Sequence, residues 1–87
     1  MPDVTIYTRS WCLYCRRAKA LLERKGVDYE EIDVELSPDR EREMVREAGG
    51  RTTVPQIFIG GRHVGGSDDL QDLEARGRLD ELLGRQE

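Results

Sequence analysis

The segment YTRSWCLYC, residues 7–15, joins a short apolar strand to a helix and contains both cysteines of the chain. Val4 to Tyr7 alternates apolar and polar residues, as a half-buried strand does. After Cys15, apolar residues recur at spacings of three and four, and Gly26 fits a helix C-terminal cap. The sequence therefore predicts a strand, a cysteine loop and a helix over residues 13–25.

The spacing of Cys12 and Cys15 favours redox chemistry over a structural role. A disulfide between them closes a loop of only about four residues, which contributes about 2 kcal/mol in the chain-entropy estimate. As a dithiol the pair is well placed, because backbone N–H groups at a helix start stabilise a thiolate and a second cysteine one turn later can reach its sulfur. The same spacing also occurs in half zinc sites, so metal binding stays open at this point.

Four further elements follow the first helix. Residues 27–34 read as a strand, and Ser37-Pro38 reads as the start of a helix that Gly49-Gly50 ends. Residues 53–59 form the strongest strand pattern, and Gly60-Gly61 predicts a tight hairpin to a strand at 62–64.

The last helix is predicted to begin at Ser67 and to be interrupted near Gly77. An apolar stripe marks the face that it buries: Leu70, Leu73, Leu79, Leu82 and Leu83.

The element order βαβαββα predicts an α/β fold. The first two strands should be parallel and the hairpin antiparallel, which gives a mixed four-stranded sheet flanked by helices. With 87 residues, the chain fits a single domain spanning residues 1–87.

Composition excludes several classes of partner and location. The 14 Lys and Arg and 18 Asp and Glu give a net charge of -4, which does not favour nucleic acid or an anionic membrane. No apolar run approaches the roughly 18 residues of a membrane span, and Met1-Pro2-Asp3 does not start a signal segment. We therefore expect a cytoplasmic protein, where a reducing environment suits a catalytic cysteine pair.

Two later segments, TVPQ at 53–56 and GGSDDL at 65–70, complete a pattern with the cysteine segment. In this order and spacing the three closely resemble the glutaredoxins, small glutathione-dependent members of the thioredoxin superfamily. The resemblance spans nearly the whole chain. It implies a thioredoxin-like fold and a dithiol glutathione-dependent disulfide oxidoreductase, with glutathione as reducing co-substrate and no metal.

The resemblance also implies roles for the two cysteines. Cys12 is the expected nucleophile, and its place at the helix start near Arg9 and Arg16 favours a thiolate. Cys15 is the expected resolving thiol, in a less electropositive and more buried position. The expected substrates are disulfide-containing and glutathionylated client proteins, and the expected state is a monomer.

By the same resemblance, eight residues bind glutathione: Arg9, Tyr14, Thr53, Val54, Pro55, Gly66, Ser67 and Asp68. Arg9 would hold the glycine carboxylate, Tyr14 would flank the sulfur, and Pro55 would follow a cis peptide bond. Backbone N–H groups at the last helix start could hold the γ-glutamyl α-carboxylate, with Asp68 facing the ammonium group. Alternatively, Ser67 and Asp68 merely cap that helix.

Other functions remain open from the residues. One is a glutaredoxin-like hydrogen donor reduced by thioredoxin reductase, and another is zinc or iron-sulfur binding. His63 is expected to be an ordinary surface residue on the hairpin rather than a ligand. A non-catalytic adaptor is the third. Trp11 either covers the edge of the thiol, contacts partners or packs inside. Leu13 stands where the family commonly has proline, and the direction of its effect on redox potential is open.

Overall fold

The computed structural model describes residues 2–85, which form four strands and four α-helices in that part of the chain. In chain order these are β1 Val4–Thr8, α1 Leu13–Arg24, β2 Glu30–Asp33, α2 Pro38–Glu47, β3 Gln56–Ile59, β4 Arg62–Gly65, α3 Ser67–Ala75 and α4 Leu79–Leu82. A short 3-10 helix, Val34–Leu36, lies between β2 and α2.

The four strands form one mixed sheet in the order β2-β1-β3-β4. β1 and β2 are parallel, with Tyr7 opposite Ile32, whereas β1 and β3 are antiparallel, with Tyr7 opposite Gln56. β3 and β4 form the hairpin across Gly60 and Gly61. The predicted α/β fold and its mixed sheet are confirmed.

Helices cover both faces of the sheet because alternate strand residues point to opposite sides. One cluster joins Ile6 and Ile57 to leucines of α1, α3 and α4. The other joins Tyr7 and Phe58 to Met44 of α2. The sheet thereby fixes the C-terminal end of β1, where the cysteine loop begins, against the segment that enters β3.

The predicted start of α2 and the predicted interruption of the last helix are both confirmed. Ser37 Oγ accepts from the Arg40 N–H at 3.3 Å, and Pro38 is the first residue of α2. Gly77, at φ +71°, separates α3 from α4, as the predicted interruption requires. No helix among residues 2–85 is long and apolar enough to cross a membrane.

Two strands are shorter than the sequence predicted. The second covers only Glu30–Asp33. Before it, the Val27 N–H donates to the Leu22 carbonyl oxygen of α1 at 2.9 Å, and at its end the Asp33 carboxylate accepts from the Glu35 N–H at 2.9 Å and turns the chain into the 3-10 helix. The third begins at Gln56, so residues 53–55 precede it as a loop. Pro55 has no N–H to donate to a strand ladder, which explains the later start.

Leu70→Ala is expected to lower the free energy of unfolding by about 2 to 5 kcal/mol, because Leu70 is fully buried and alanine leaves a cavity. Leu36→Ala makes the same chemical change at a side chain that is 81% exposed, and should change stability by less than about 0.5 kcal/mol. Urea unfolding of both variants measures the difference. Equal losses would contradict the assigned core.

Candidate active site

Cys12 is the N-cap residue of α1, and its sulfur contacts the backbone of the first helical turn. Its backbone is extended, and its Sγ accepts from the Cys15 N–H at 3.1 Å. The sulfur is partly exposed and lies 3.9 Å from the Val54 carbonyl oxygen. An N-cap position aims unpaired helix N–H groups at the side chain, so a negative sulfur is favoured there.

The loop before Cys12 presents an aromatic side chain to solvent. Trp11 adopts a positive φ of 58° and is 93% exposed, so the alternative that it packs inside is wrong. Leu13 and Tyr14 are also exposed. The nucleophile candidate is therefore surrounded by accessible apolar surface.

Cys15 occupies the opposite environment, with only 2% of its surface exposed. Burial, and to a smaller extent a hydrogen bond with Cys12, raise the pKa of its thiol to about 12. A backbone hydrogen bond from Arg9 and the charge of Lys19 oppose this rise in pKa without cancelling it. In the reduced protein Cys15 is therefore a protonated thiol beside the more accessible sulfur of Cys12.

This difference predicts unequal alkylation. In a Cys12→Ser variant, Cys15 is expected to react with iodoacetamide at pH 8 at least about 100-fold more slowly than an exposed thiol of ordinary pKa near 8.5. Only the thiolate reacts, and the raised pKa means that raising the pH from 7 to 9 should increase the rate about tenfold per unit. Mass spectrometry of alkylated protein follows the reaction. Labelling of Cys15 as fast as a free thiol would contradict its environment.

A cleft of about 270 Å³ opens beside the cysteine loop. It is lined by Tyr14, Arg51, Thr53, Val54, Pro55, Gly66, Ser67, Asp68 and Asp69. The structure thus brings together every residue predicted for glutathione except Arg9. The Val54-Pro55 peptide bond is cis.

The start of α3 differs in detail from the sequence prediction. Gly66, not Ser67, is the N-cap residue, and its N–H donates to Asp69 Oδ2 at 2.8 Å. Ser67 is the first helical residue and is 4% exposed, and its Oγ has no hydrogen-bond partner among the described residues. The interpretation of Ser67 as a helix cap is therefore wrong. Its hydroxyl is buried at the lining of the cleft, and its hydrogen-bonding capacity is unsatisfied among the described residues.

Arg51 and Asp69 are two residues of the cleft that sequence reasoning missed. Arg51 Nη1 lies 3.2 Å from Asp69 Oδ2. The Gly66 N–H and the Arg51 guanidinium hold the pKa of the Asp69 carboxyl below its ordinary range, against the opposing effect of burial. An acidic residue three positions after the N-cap was the signal for this capping role.

Arg9 lies outside the cleft lining. Its guanidinium forms an ion pair with the Glu41 carboxylate of α2, at the side of the cysteine loop. Both side chains are about one-third exposed. No sequence pattern indicated this partner, since Glu41 is 32 residues away.

No group of three or more potential metal-ligating side chains was found among residues 2–85. His63 is half-buried rather than an ordinary surface residue. Its ring stacks on Phe58 with centroids 5.0 Å apart, and its Nε2 lies 2.7 Å from Gln56 Oε1.

An accessible cysteine at a helix start, a buried cysteine one turn later and a cis-proline loop beside the first cysteine define a thiol-disulfide oxidoreductase of thioredoxin-like fold. Comparisons with known proteins narrow this class. The glutaredoxin family model matches residues 4–64. The chain belongs to the glutaredoxin family.

Three relatives describe the extent of the similarity. A glutaredoxin of Pseudomonas aeruginosa is 59% identical over 83 residues, which cover 95% of this chain and 98% of that protein. Glutaredoxin 3 of Escherichia coli K12 is 53% identical over 83 residues, with coverage of 95% and 99%. The crystal structure of the buckwheat glutaredoxin-glutathione complex matches with a TM-score of 0.86 at 29% identity, covering 95% of this chain and 77% of that one.

Proposed function

We propose that this protein is a dithiol glutaredoxin that uses glutathione to reduce protein disulfides and protein-glutathione mixed disulfides. One observation carries the proposal. Cys12 Sγ lies at the start of α1 and 3.9 Å from the Val54 carbonyl oxygen at the cleft, while the buried Cys15 sits one turn behind it. Accessible nucleophile, substrate cleft and resolving thiol are thus adjacent.

The first step uses Cys12 alone. Its thiolate attacks one sulfur of a client disulfide, a new S–S bond forms between Cys12 and that sulfur, and the other sulfur leaves as a thiolate with the electron pair. When the client is glutathionylated, attack on the glutathione sulfur leaves glutathione on Cys12 and releases the client thiolate. The N–H of Cys15, 3.1 Å from Cys12 Sγ, favours the negative sulfur that this attack requires.

The second step depends on the substrate. With a protein disulfide, Cys15 loses its proton and attacks Cys12 Sγ, which forms the Cys12-Cys15 disulfide and releases the reduced client. One glutathione thiolate then attacks Cys12 Sγ and frees Cys15. A second glutathione thiolate attacks the glutathione sulfur of the resulting Cys12-glutathione disulfide, so oxidised glutathione leaves and Cys12 returns as a thiolate. With a glutathionylated client, this last attack is the whole of the second step.

The cleft supports glutathione as the group bound there. The N-terminus of α3 suits the γ-glutamyl carboxylate, and the exposed Asp68 suits its ammonium group. The buried Ser67 hydroxyl, which has no partner among the described residues, lies at the same helix start. The similar buckwheat glutaredoxin was crystallised as a complex with glutathione, which is consistent with this assignment. Thr53, Val54, Pro55 and Tyr14 also line this cleft, and in the proposed complex Tyr14 flanks the glutathione sulfur.

Arg9 is proposed to hold the glycine carboxylate only after exchanging partners. Its guanidinium is paired with Glu41, so the substrate carboxylate would have to compete with that carboxylate. Exposed ion pairs contribute only about 0 to 1 kcal/mol, so the existing pair opposes the exchange only weakly.

The remaining assignments concern organisation and location. We propose a single domain over residues 1–87 that acts as a monomer in the cytoplasm, on protein clients and without nucleic acid or membrane partners. The net charge of -4 supports the exclusion of anionic partners.

The electron source distinguishes this function from a redoxin reduced by thioredoxin reductase. With a glutathionylated peptide as substrate, we expect rapid turnover with glutathione and glutathione reductase and background rates with thioredoxin reductase. NADPH consumption measures both. Turnover with thioredoxin reductase alone would reassign the protein to the other class.

A further inference from the structure

Gln56 is a fully buried polar side chain at the beginning of β3, with no part in the exchange steps described above. Its Nε2 donates to the Thr53 carbonyl oxygen at 3.0 Å and lies 3.3 Å from Thr53 Oγ1. Its Oε1 lies 2.7 Å from His63 Nε2. The amide therefore connects an edge strand of the sheet to the loop that walls the cleft.

The Thr53 carbonyl oxygen determines which atom donates in each of these hydrogen bonds. A carbonyl oxygen only accepts, so the Gln56 atom facing Thr53 O is the nitrogen and the atom facing His63 is the oxygen. His63 Nε2 must then carry a proton and donate. Stacking of the His63 ring on Phe58 holds that donor in place.

The hydrogen bond to the Thr53 carbonyl also fixes the direction of the Val54 N–H group. The Thr53-Val54 peptide bond is trans, unlike the bond that follows it, so the Thr53 C=O and the Val54 N–H point in opposite directions from one rigid plane. Because the carbonyl points to the buried Gln56 amide, the Val54 N–H points away from it. A cleft-lining peptide with a fixed N–H direction can pair with an extended substrate backbone.

We propose that Gln56 is a positioning residue for the glutathione moiety of the substrate, with His63 holding the Gln56 amide. This inference rests on the proposed function. Gln56 orients the Thr53-Val54 peptide before substrate arrives and takes no direct part in sulfur exchange.

Steady-state kinetics of Gln56→Met test the proposal, because methionine keeps the length of the side chain and removes its hydrogen bonds to Thr53 and His63. With a glutathionylated peptide, KM is expected to rise about fivefold to tenfold, the effect of one buried hydrogen bond, while kcat stays within about twofold. The alkylation rate of Cys12 should also stay within about twofold. Gln71→Met is the matched control, since Gln71 donates to the Arg17 carbonyl away from the cleft, and its KM should not change.

Failure of the proposed function and failure of the positioning role of Gln56 give different results. If the wild type fails to turn over glutathionylated peptide with glutathione, the proposed function is wrong. If the wild type is active and Gln56→Met keeps the wild-type KM, the positioning role is wrong and the function stands. Equal changes in KM and in the Cys12 alkylation rate would also overturn it, because they indicate general disruption of the site.

A second measurement needs no variant. His63 is the only histidine of the chain, so long-range proton-nitrogen NMR correlations of its ring are unambiguous. We expect neutral His63 to carry its proton on Nε2. A proton on Nδ1 would break the connection to Gln56 and overturn the proposed network, even if Gln56→Met fails to fold.

Discussion

Cys12→Ser is expected to lower turnover of both glutathionylated peptides and protein disulfides by at least about 10³-fold. A serine hydroxyl is not ionised near neutral pH and does not form an S–S bond, so the first exchange step is lost. The remaining Cys15 is 2% exposed, and burial, the largest cause of its raised pKa, does not depend on Cys12, so Cys15 cannot replace the missing nucleophile.

The matched control is the same chemical change three residues later, in Cys15→Ser. Coupled assays with glutathione and glutathione reductase measure both variants against both substrates. Substantial residual activity of Cys12→Ser, together with an inactive Cys15→Ser, would reverse the assigned roles.

Cys15→Ser is expected to separate the two activities. Removal of glutathione from a peptide needs only Cys12 and external glutathione, so its rate should stay within about threefold of the wild type. Reduction of a protein disulfide should fall at least about 100-fold, because the neighbouring thiol that resolves the mixed disulfide acts at a high effective concentration.

The mixed disulfide that accumulates in Cys15→Ser provides the readout for this variant. Mass spectrometry after acid quenching should detect a client joined to Cys12 by a disulfide. Full disulfide reductase activity without such an adduct would mean that Cys15 is not the resolving thiol.

The sequence was sufficient for most of the fold, and the reasons are local. Alternation in residues 4–7, the leucine stripe after Ser67 and the Gly60-Gly61 turn each fix one element through short-range geometry. The strand bounds were less accurate. Asp33 forms a local hydrogen bond that competes with the sheet, and the alternation of residue types does not indicate which of the two forms.

Within the site, the sequence predicted most of the residues that line the cleft but not all of their side-chain contacts. Seven of the eight residues predicted for glutathione line one cleft, whereas Arg9 pairs with Glu41 outside it. Periodicity carries no information on contacts between side chains that are distant in the sequence. The roles of Arg51 and Gln56 were missed for this reason, since each depends on which residues the sheet and hairpin bring near.

The most direct test of glutathione binding in the cleft is backbone NMR of Cys15→Ser before and after Cys12 is joined to glutathione. We expect a stable mixed disulfide and large amide shifts at Val54, Ser67 and Asp68, with little change at Asp28 and Glu30, which line a separate pocket. An adduct that leaves the three cleft amides unchanged would show that glutathione does not occupy this cleft, and would contradict the proposed mechanism of recognition.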